Sequence, residues 1–513
     1  MIANTSTDID PSCRLILPGM HPDPTICRVG DQYFLATSTF GLFPGIPLYR
    51  SSDLRDWQFV RHIISRPQQL PFKPEHDITS AGMFAPTLRH DGKRFYLICT
   101  NIGNGGHFIV FADNPADEWS DPVWIDADHQ GGIDPSITFL QSGEALLQST
   151  PSELHGEARG IHQFEIDPQT GQGLSPRQHI STGYGWKCVE GPHLFQRDEF
   201  WYLLTAEGGT EANHRVAIGR SESPWGPWES CPHNPILTNA GFDSPIQNIG
   251  HADFFADPQD NWWVVFLGVR TVGYPTVHIT GRETFIAPVN WSHGWPIVNN
   301  GNPIQLADTQ YSNDSPQPWT DNFTSAKLSP HWVTLGCSYQ TVYRLDGEAG
   351  LALTATSSSL STAGRQAFIG TRLNTLNGFF ECDLSITDQS ESEAGLAVLM
   401  NRTGYYSLGI ERNSQGAIQA VFKRRVLDME TIKTLQLAPA KRYRIRVELN
   451  PDNEFVFSIL DQNEAWITLG SGAARLLSTE VIGGFTGLLV GPYCISRESG
   501  AEARVFSFSA KPE

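Results

Sequence analysis

Three acidic residues, Asp23, Asp134 and Glu190, and one histidine, His251, stand at similar places in short segments spread over the first half of this chain. Brought together, such groups do acid–base chemistry. Carboxyls crowded into a partly dry space cannot all ionise, so their proton affinities separate: one becomes an acid while another stays a base. Glycoside hydrolysis uses such a pair, held roughly 6.5–9.5 Å apart for inversion or roughly 5–5.5 Å apart for retention. A single Asp-Pro is commonly just a turn device. Three carboxyls recurring in phase are harder to explain that way.

The phase comes from an internal repeat. A polar pair, an aromatic or aliphatic run and a small polar end recur as Asp31-Gln-Tyr-Phe-Leu-Ala-Thr, Lys93-Arg-Phe-Tyr-Leu-Ile-Cys, Gly143-Glu-Ala-Leu-Leu-Gln-Ser, Glu199-Phe-Trp-Tyr-Leu-Leu-Thr and Asn261-Trp-Trp-Val-Val-Phe-Leu. Each reads as a strand behind a turn signal. Upstream of each copy lies a second segment, and taking Asp23, Ala85, Asp134, Glu190 and His251 as equivalent gives steps of 62, 49, 56 and 61 residues. That period fits propeller blades with loop insertions. The innermost strands of a propeller face one another across a funnel, so the two aspartates, the glutamate and the histidine are expected to converge there. Trp57, Trp119 and Trp228, which recur downstream, are expected to pack between blades. Residues 1–310 are thus read as the propeller, 311–318 as a linker and 319–513, with short alternating strands such as Gly378–Leu384 and Arg442–Glu448, as a β-sandwich. The fold class is all-β.

Composition narrows the partners. Of 513 residues, 55 are acidic and 36 basic, so a duplex or an anionic membrane meets a repulsive field, and neither nucleic acid nor membrane is expected as a partner. Gly (47) and Pro (34) are abundant, but not at the level of a low-complexity chain. The eight cysteines form no CxxC pair, which argues against zinc ribbons and redox motifs. Residues 1–12 are polar and carry Asp8 and Asp10, so no export signal is read and a cytoplasmic location is expected.

Seven segments together carry a family resemblance: Met20-His-Pro-Asp-Pro-Thr-Ile26, Ala36-Thr-Ser-Thr-Phe40 with Phe43-Pro-Gly45, Gly132-Ile-Asp-Pro-Ser136, Glu190-Gly-Pro-His-Leu194, Thr205-Ala-Glu-Gly-Gly-Thr210, Gly250-His-Ala-Asp253 and Gly281-Arg-Glu-Thr-Phe285. In this order they resemble glycoside hydrolase family 43 enzymes of the β-xylosidase/α-L-arabinofuranosidase type. The resemblance implies a five-bladed β-propeller followed by a concanavalin-like β-sandwich. It also implies that Asp23 is the general base, Glu190 the general acid and Asp134 the group that tunes the acid, with net inversion. Arg282 matches the family arginine that positions hydroxyls and holds a neighbouring carboxylate charged; its plainer reading is a strand-edge ion pair. His251 would lie beneath the substrate and hold a calcium or a water, or be an ordinary hydrogen-bonded core histidine. Phe40 and Phe43 would wall the pocket or be core aromatics, and His214 is a weaker pocket candidate. Phe84-Ala-Pro-Thr87 departs from the Trp-Ala-Pro-Asp/Glu of many relatives, which bears on sugar preference.

The expected substrate is an oligosaccharide, with exo-acting hydrolysis of β-1,4-xylosidic bonds in xylobiose and short xylo-oligosaccharides. The alternatives are an α-L-arabinofuranosidase, or both activities together, and a non-catalytic carbohydrate-binding protein. No organic cofactor is expected, a structural calcium is left open, and the resemblance implies a dimer or tetramer. The sandwich is expected to close one side of the pocket, with Phe485 and Tyr493 as the residues guessed to reach in.

Overall fold

All five apolar segments of the repeat form strands, and each is the second strand of its own antiparallel sheet: Gln32–Ala36, Phe95–Ile102, Ala145–Thr150, Phe200–Glu207 and Trp262–Arg270. The computed structural model describes residues 13–73, 78–126, 128–129, 131–151, 159–305, 316–336, 342–386, 391–497 and 500–513. Residues 1–12 and most of the 311–318 linker lie outside that set. The five sheets are the blades of a β-propeller. The innermost strands are Thr25–Val29, Thr87–His90, Ile133–Phe139, Glu190–Arg197 and Ile246–Ala256. The ring is closed by the first described strand, Arg14–Leu17, which pairs with Glu283–Ser292 of the fifth blade.

Alternation along these strands puts apolar side chains between neighbouring blades. Phe34, Leu48 and Ile63 of the first blade meet Leu97 and Phe108 of the second around Trp119, which is buried. Trp57 is partly buried on a cluster of first- and fifth-blade residues that includes Leu35 and Val265. Trp228 departs from the expectation: it joins none of the described core clusters and folds back over Gly226, where a Cβ would stand 2.9 Å from its indole nitrogen.

The C-terminal region is a sandwich of two eight-stranded sheets. Its packed interior includes Phe380, Leu396, Ile445, Phe457 and Val490. One of those sheets borrows an edge strand from the propeller: Leu42–Phe43 pairs with Val333–Leu335. Around that junction Met20, Phe40 and Leu42 pack with Leu335, Phe368, Leu399 and Leu489. The two halves therefore share a hydrophobic core as well as a surface. The seven described cysteines are free. Among the described residues no helix is long and apolar enough to cross a membrane.

Candidate active site

The inner strands begin at the funnel with irregular backbone, and that irregularity turns the acidic side chains inward. Asp23, Asp134 and His251 have φ of 53°, 54° and 50°, in the left-handed region that non-glycine residues enter only when the surroundings enforce it. Register breaks lie between Ile133 and Ser136, between Glu190 and His193, and around Gly250. Bulges of this kind re-aim side chains at strand ends.

Strand register also corrects the phase read from the repeat. Thr25, Thr87, Ser136, His193 and Asp253 face Ala36, Ile98, Gln148, Leu204 and Val265 at corresponding points of the second strands. Two residues upstream of these stand Asp23, Ala85, Asp134, Gly191 and His251. The place assigned to Glu190 is thus occupied by Gly191, whose own φ is 57°. A Cβ on Gly191 would sit 3.0 Å from His251 Nε2. Glu190 enters the funnel from one residue earlier, where the strand begins.

Asp23, Asp134 and Glu190 line one cavity of about 420 Å³ together with His251, Arg282, Thr210, Phe40, Phe84 and Phe485. The Arg282 guanidinium donates to Asp23 at 3.0 Å, to Thr210 Oγ1 at 3.1 Å and to the Phe485 carbonyl at 3.3 Å. It also lies 5.5 Å from the ring centre of Phe40 and 5.8 Å from that of Phe485. The plainer strand-edge reading of Arg282 therefore fails: the side chain is buried within the funnel wall. The Ser38 hydroxyl donates to the other Asp23 oxygen at 2.5 Å. Asp134 accepts from the Gly191 amide at 3.1 Å and from His251 Nε2 at 3.3 Å.

These contacts split the carboxyls. Burial alone would raise the Asp23 pKa, but Arg282, His251 and the Ser38 hydroxyl outweigh it and hold the group below the usual carboxylate range. Glu190 is pushed up to about 8 by burial and then by the Asp134 charge, against the pull of His251 and Arg282. Burial would neutralise His251, yet Asp23, Asp134 and Glu190 raise it to about 9, so it is an imidazolium at neutral pH. One carboxylate held charged and one carboxyl held protonated share a single funnel.

Beneath this layer lies a second one. Arg89, from the second blade, donates to both oxygens of Asp253 in the fifth, at 2.8 and 3.0 Å, and to His193 Nδ1 in the fourth at 3.0 Å. Asp253 also accepts from the Thr25 hydroxyl at 2.9 Å and the Ile26 amide at 3.1 Å. A half-buried guanidinium thus ties blades together across the axis. Calcium prefers about 6–8 oxygen ligands. His251 instead points its Nε2 at Asp134, and among the described residues no group of three or more metal-ligating side chains is arranged around an ion. The residues present do not fit a calcium held by His251.

The other sequence candidates separate cleanly. Phe40 and Phe84 line the funnel, with ring centres 4.9 Å apart. Phe43 does not: it lies in the two-residue junction strand, packs edge-on against Phe72, and its carbonyl accepts from the Thr334 hydroxyl at 3.0 Å. His214 stays outside the funnel, because its ring fills the space over Gly250, where a Cβ would come within 2.2 Å, and its Nδ1 pairs with the Asn248 carbonyl at 3.0 Å. Tyr493 is buried in the sandwich with its hydroxyl on Glu393 at 2.5 Å. Phe485 does reach in. It follows Gly483 and Gly484 (φ 86° and 88°), which permit the sharp turn that drives its ring to 6.0 Å from Phe40.

Sequence reasoning overlooked Ser38, Thr210, Arg89 and Asp253 as functional or supporting groups. Three of them stand inside the quoted segments, so their position was on view, but short polar residues near a turn signal carry no indication of which face they present.

With that geometry in place, similarity to known proteins decides the family. Residues 14–296 match the family described as Glycosyl hydrolases family 43, and residues 320–510 match the Beta xylosidase C-terminal Concanavalin A-like domain. The chain belongs to glycoside hydrolase family 43. It is 37% identical over 492 residues to the non-reducing end alpha-L-arabinofuranosidase BoGH43B of Bacteroides ovatus, covering 93% of this chain and 90% of that protein. It is 31% identical to a xylosidase/arabinosidase of Butyrivibrio fibrisolvens, covering 94% and 95%. The solved structure of the Bacteroides ovatus xyloglucan PUL GH43B superposes with a TM-score of 0.89 at 33% identity, covering 98% of this chain and all of the other. This family 43 glycoside hydrolase keeps its funnel arginine in place through a second buried ion pair. Arg270 donates to Glu283 at 2.7 and 2.8 Å, Glu283 also accepts the Gly19 amide at 2.6 Å, and Arg270 reaches the Asn374 carbonyl of the sandwich at 3.2 Å. Glu283→Ala removes the carboxylate that both arms of the buried Arg270 guanidinium bond and is expected to lower stability by about 3–5 kcal/mol, read as a fall in the urea midpoint with the slope unchanged.

Proposed function

We propose that this chain is an inverting, exo-acting glycosidase that removes one terminal pentose, α-L-arabinofuranose first and β-D-xylopyranose second. The observation that carries the reading is the meeting of Asp23, bonded by Arg282, with Asp134 and Glu190 in one funnel, where the proton affinities of Asp23 and Glu190 are driven apart. Asp23, kept ionised by Arg282, takes a proton from the attacking water. Glu190, kept protonated by its surroundings, gives its proton to the departing glycosidic oxygen. Asp134 supports the acid by keeping that proton on it, and the His251 imidazolium offsets the two carboxylates. Arg282 and the rings of Phe40, Phe84 and Phe485 hold a single small sugar.

The xyloside stood first in the reading of the sequence. The arabinofuranoside is placed ahead of it because BoGH43B, at 37% identity, is an arabinofuranosidase. The Butyrivibrio fibrisolvens relative, named for both activities, supports keeping the xyloside as the second substrate. A purely sugar-binding protein is disfavoured, since binding alone has no use for a carboxyl held protonated beside one held charged. Turnover of 4-nitrophenyl α-L-arabinofuranoside and 4-nitrophenyl β-D-xylopyranoside, with NMR of the first-formed anomer, tests the reading. The expected result is cleavage of both, faster for the arabinofuranoside, with inverted product. No cleavage of either, or retained configuration, overturns it.

A further inference from the structure

Beside the funnel lies a larger chamber, which none of the residues discussed as catalytic accounts for. It is an open space of about 1420 Å³ between loops of the fourth and fifth blades and residues 479–485 of the sandwich. Thr210, Arg282 and Phe485 line both spaces, so the two adjoin across these three residues. Phe485 closes one side of the funnel, as expected of the sandwich, but space opens again beyond it.

The lining has the chemistry of a carbohydrate surface. Phe242, 51% exposed, lines the chamber, where an apolar sugar face can stack on its ring. Gln247, Asn248 and Thr271 supply neutral hydrogen-bonding groups. His278 is 4% exposed and also lines the chamber, and its Nδ1 meets no hydrogen-bond partner among the described residues. A buried polar atom without a partner is costly unless something completes it, and a ligand hydroxyl could do so. Glu211, Asp243 and Glu480 give the lining a negative balance; Arg282 is its one lysine or arginine, and it is already engaged by Asp23, Thr210 and Phe485. The hairpin that bears Tyr274 is held at the rim from the sandwich side, by Arg475 donating to the Tyr274 carbonyl at 3.2 Å.

We infer that this chamber binds the leaving-group side of the substrate, a neutral oligosaccharide of two or more sugars, and that it discriminates against uronic-acid substituents. The inference rests on the pentosidase reading and deepens it. Selectivity then comes from two places: the funnel selects the pentose that is cut off, and the gap between propeller and sandwich selects the glycan that is left. A carboxylated glycan meets Glu211 and Asp243, and the one lysine or arginine of the lining, Arg282, is already engaged by Asp23.

The test compares kcat/KM for pentose release from a pentosyl-substituted xylotriose and from the corresponding methyl pentoside. Wild type is expected to favour the oligosaccharide by at least about ten-fold. Phe242→Ala is expected to lower that ratio by about five-fold or more, and Ala212→Trp, which fills the chamber, should lower it as well. The second variant decides the matter if the first does not fold, with the melting temperature monitored for both. The same oligosaccharide bearing a glucuronosyl group should be cut more slowly, with the deficit shrinking as salt is raised. Equal kcat/KM on the two neutral substrates in wild type, or an unchanged ratio in a folded variant, overturns the inference. Equal rates with and without the uronosyl group overturn its charge selectivity. If wild type cleaves neither substrate, the pentosidase reading has failed, and this inference with it.

Discussion

Glu190→Ala is expected to reduce kcat on an unactivated pentoside, such as an arabinosyl-substituted xylo-oligosaccharide, by about 10²–10⁴-fold, the range supplied by a positioned acid. A 4-nitrophenyl glycoside should lose far less, because its leaving group departs without needing a proton. The pH dependence should change with it. In the wild type, activity falls on the alkaline side near pH 8, as Glu190 gives up its proton. On the acid side, activity persists until the pH drops below the ordinary carboxylate range, because Asp23 is held ionised there. The alanine variant should lose the alkaline limb and keep the acid one. Equal losses on both kinds of substrate, with the alkaline limb unmoved, would assign the acid role elsewhere.

Asp23→Ala should behave differently. Without a base, the attacking water is no longer deprotonated, and that need does not depend on the leaving group. Activated and unactivated substrates should therefore both lose about 10²–10⁴-fold in kcat. Azide added at high concentration carries its own charge and needs no base, so it should restore part of the rate by bonding to the anomeric carbon in place of water, giving a glycosyl azide of inverted configuration while the leaving group departs as before. Because Arg282 and Ser38 both bond Asp23, the variant also strands a buried guanidinium. A parallel Asp23→Asn variant preserves shape and one acceptor, and it should show the same kinetic loss with a smaller fall in melting temperature. Preferential loss on unactivated substrates alone would overturn the assignment of Asp23 as base.

Much of this was legible from the residues themselves. The repeated strand segments identified five blades because a blade's second strand is buried on both faces and so must be apolar along its length, a signal that survives loop insertions. Asp23 and Asp134 were legible for a related reason: the Asp-Pro that precedes the regularly paired part of the inner strand stands at a similar distance from that second strand. Glu190 was identified by type, but its phase was misread by one residue, because Gly191 takes the bulged position and only cross-strand register reveals it. Phe43 and His214 failed for a shared reason. An aromatic or imidazole ring near a turn can face funnel or core, and the facing is decided by what packs on the other side: the sandwich strand Val333–Leu335 for Phe43, and the missing Cβ of Gly250 for His214.

The order and type of the strands, the number of blades and the identities of the three carboxyls follow from local pattern, because period and turn chemistry act over a few residues. The proton affinities of those carboxyls do not. Arg282 reaches Asp23 across 259 positions of sequence, Phe485 arrives from the other half of the molecule, and Arg89 finds Asp253 across the propeller axis. Burial and charge at close range set a pKa, and both are properties of the space the folded chain encloses, so the split between acid and base exists only once the blades and the sandwich have closed around the funnel.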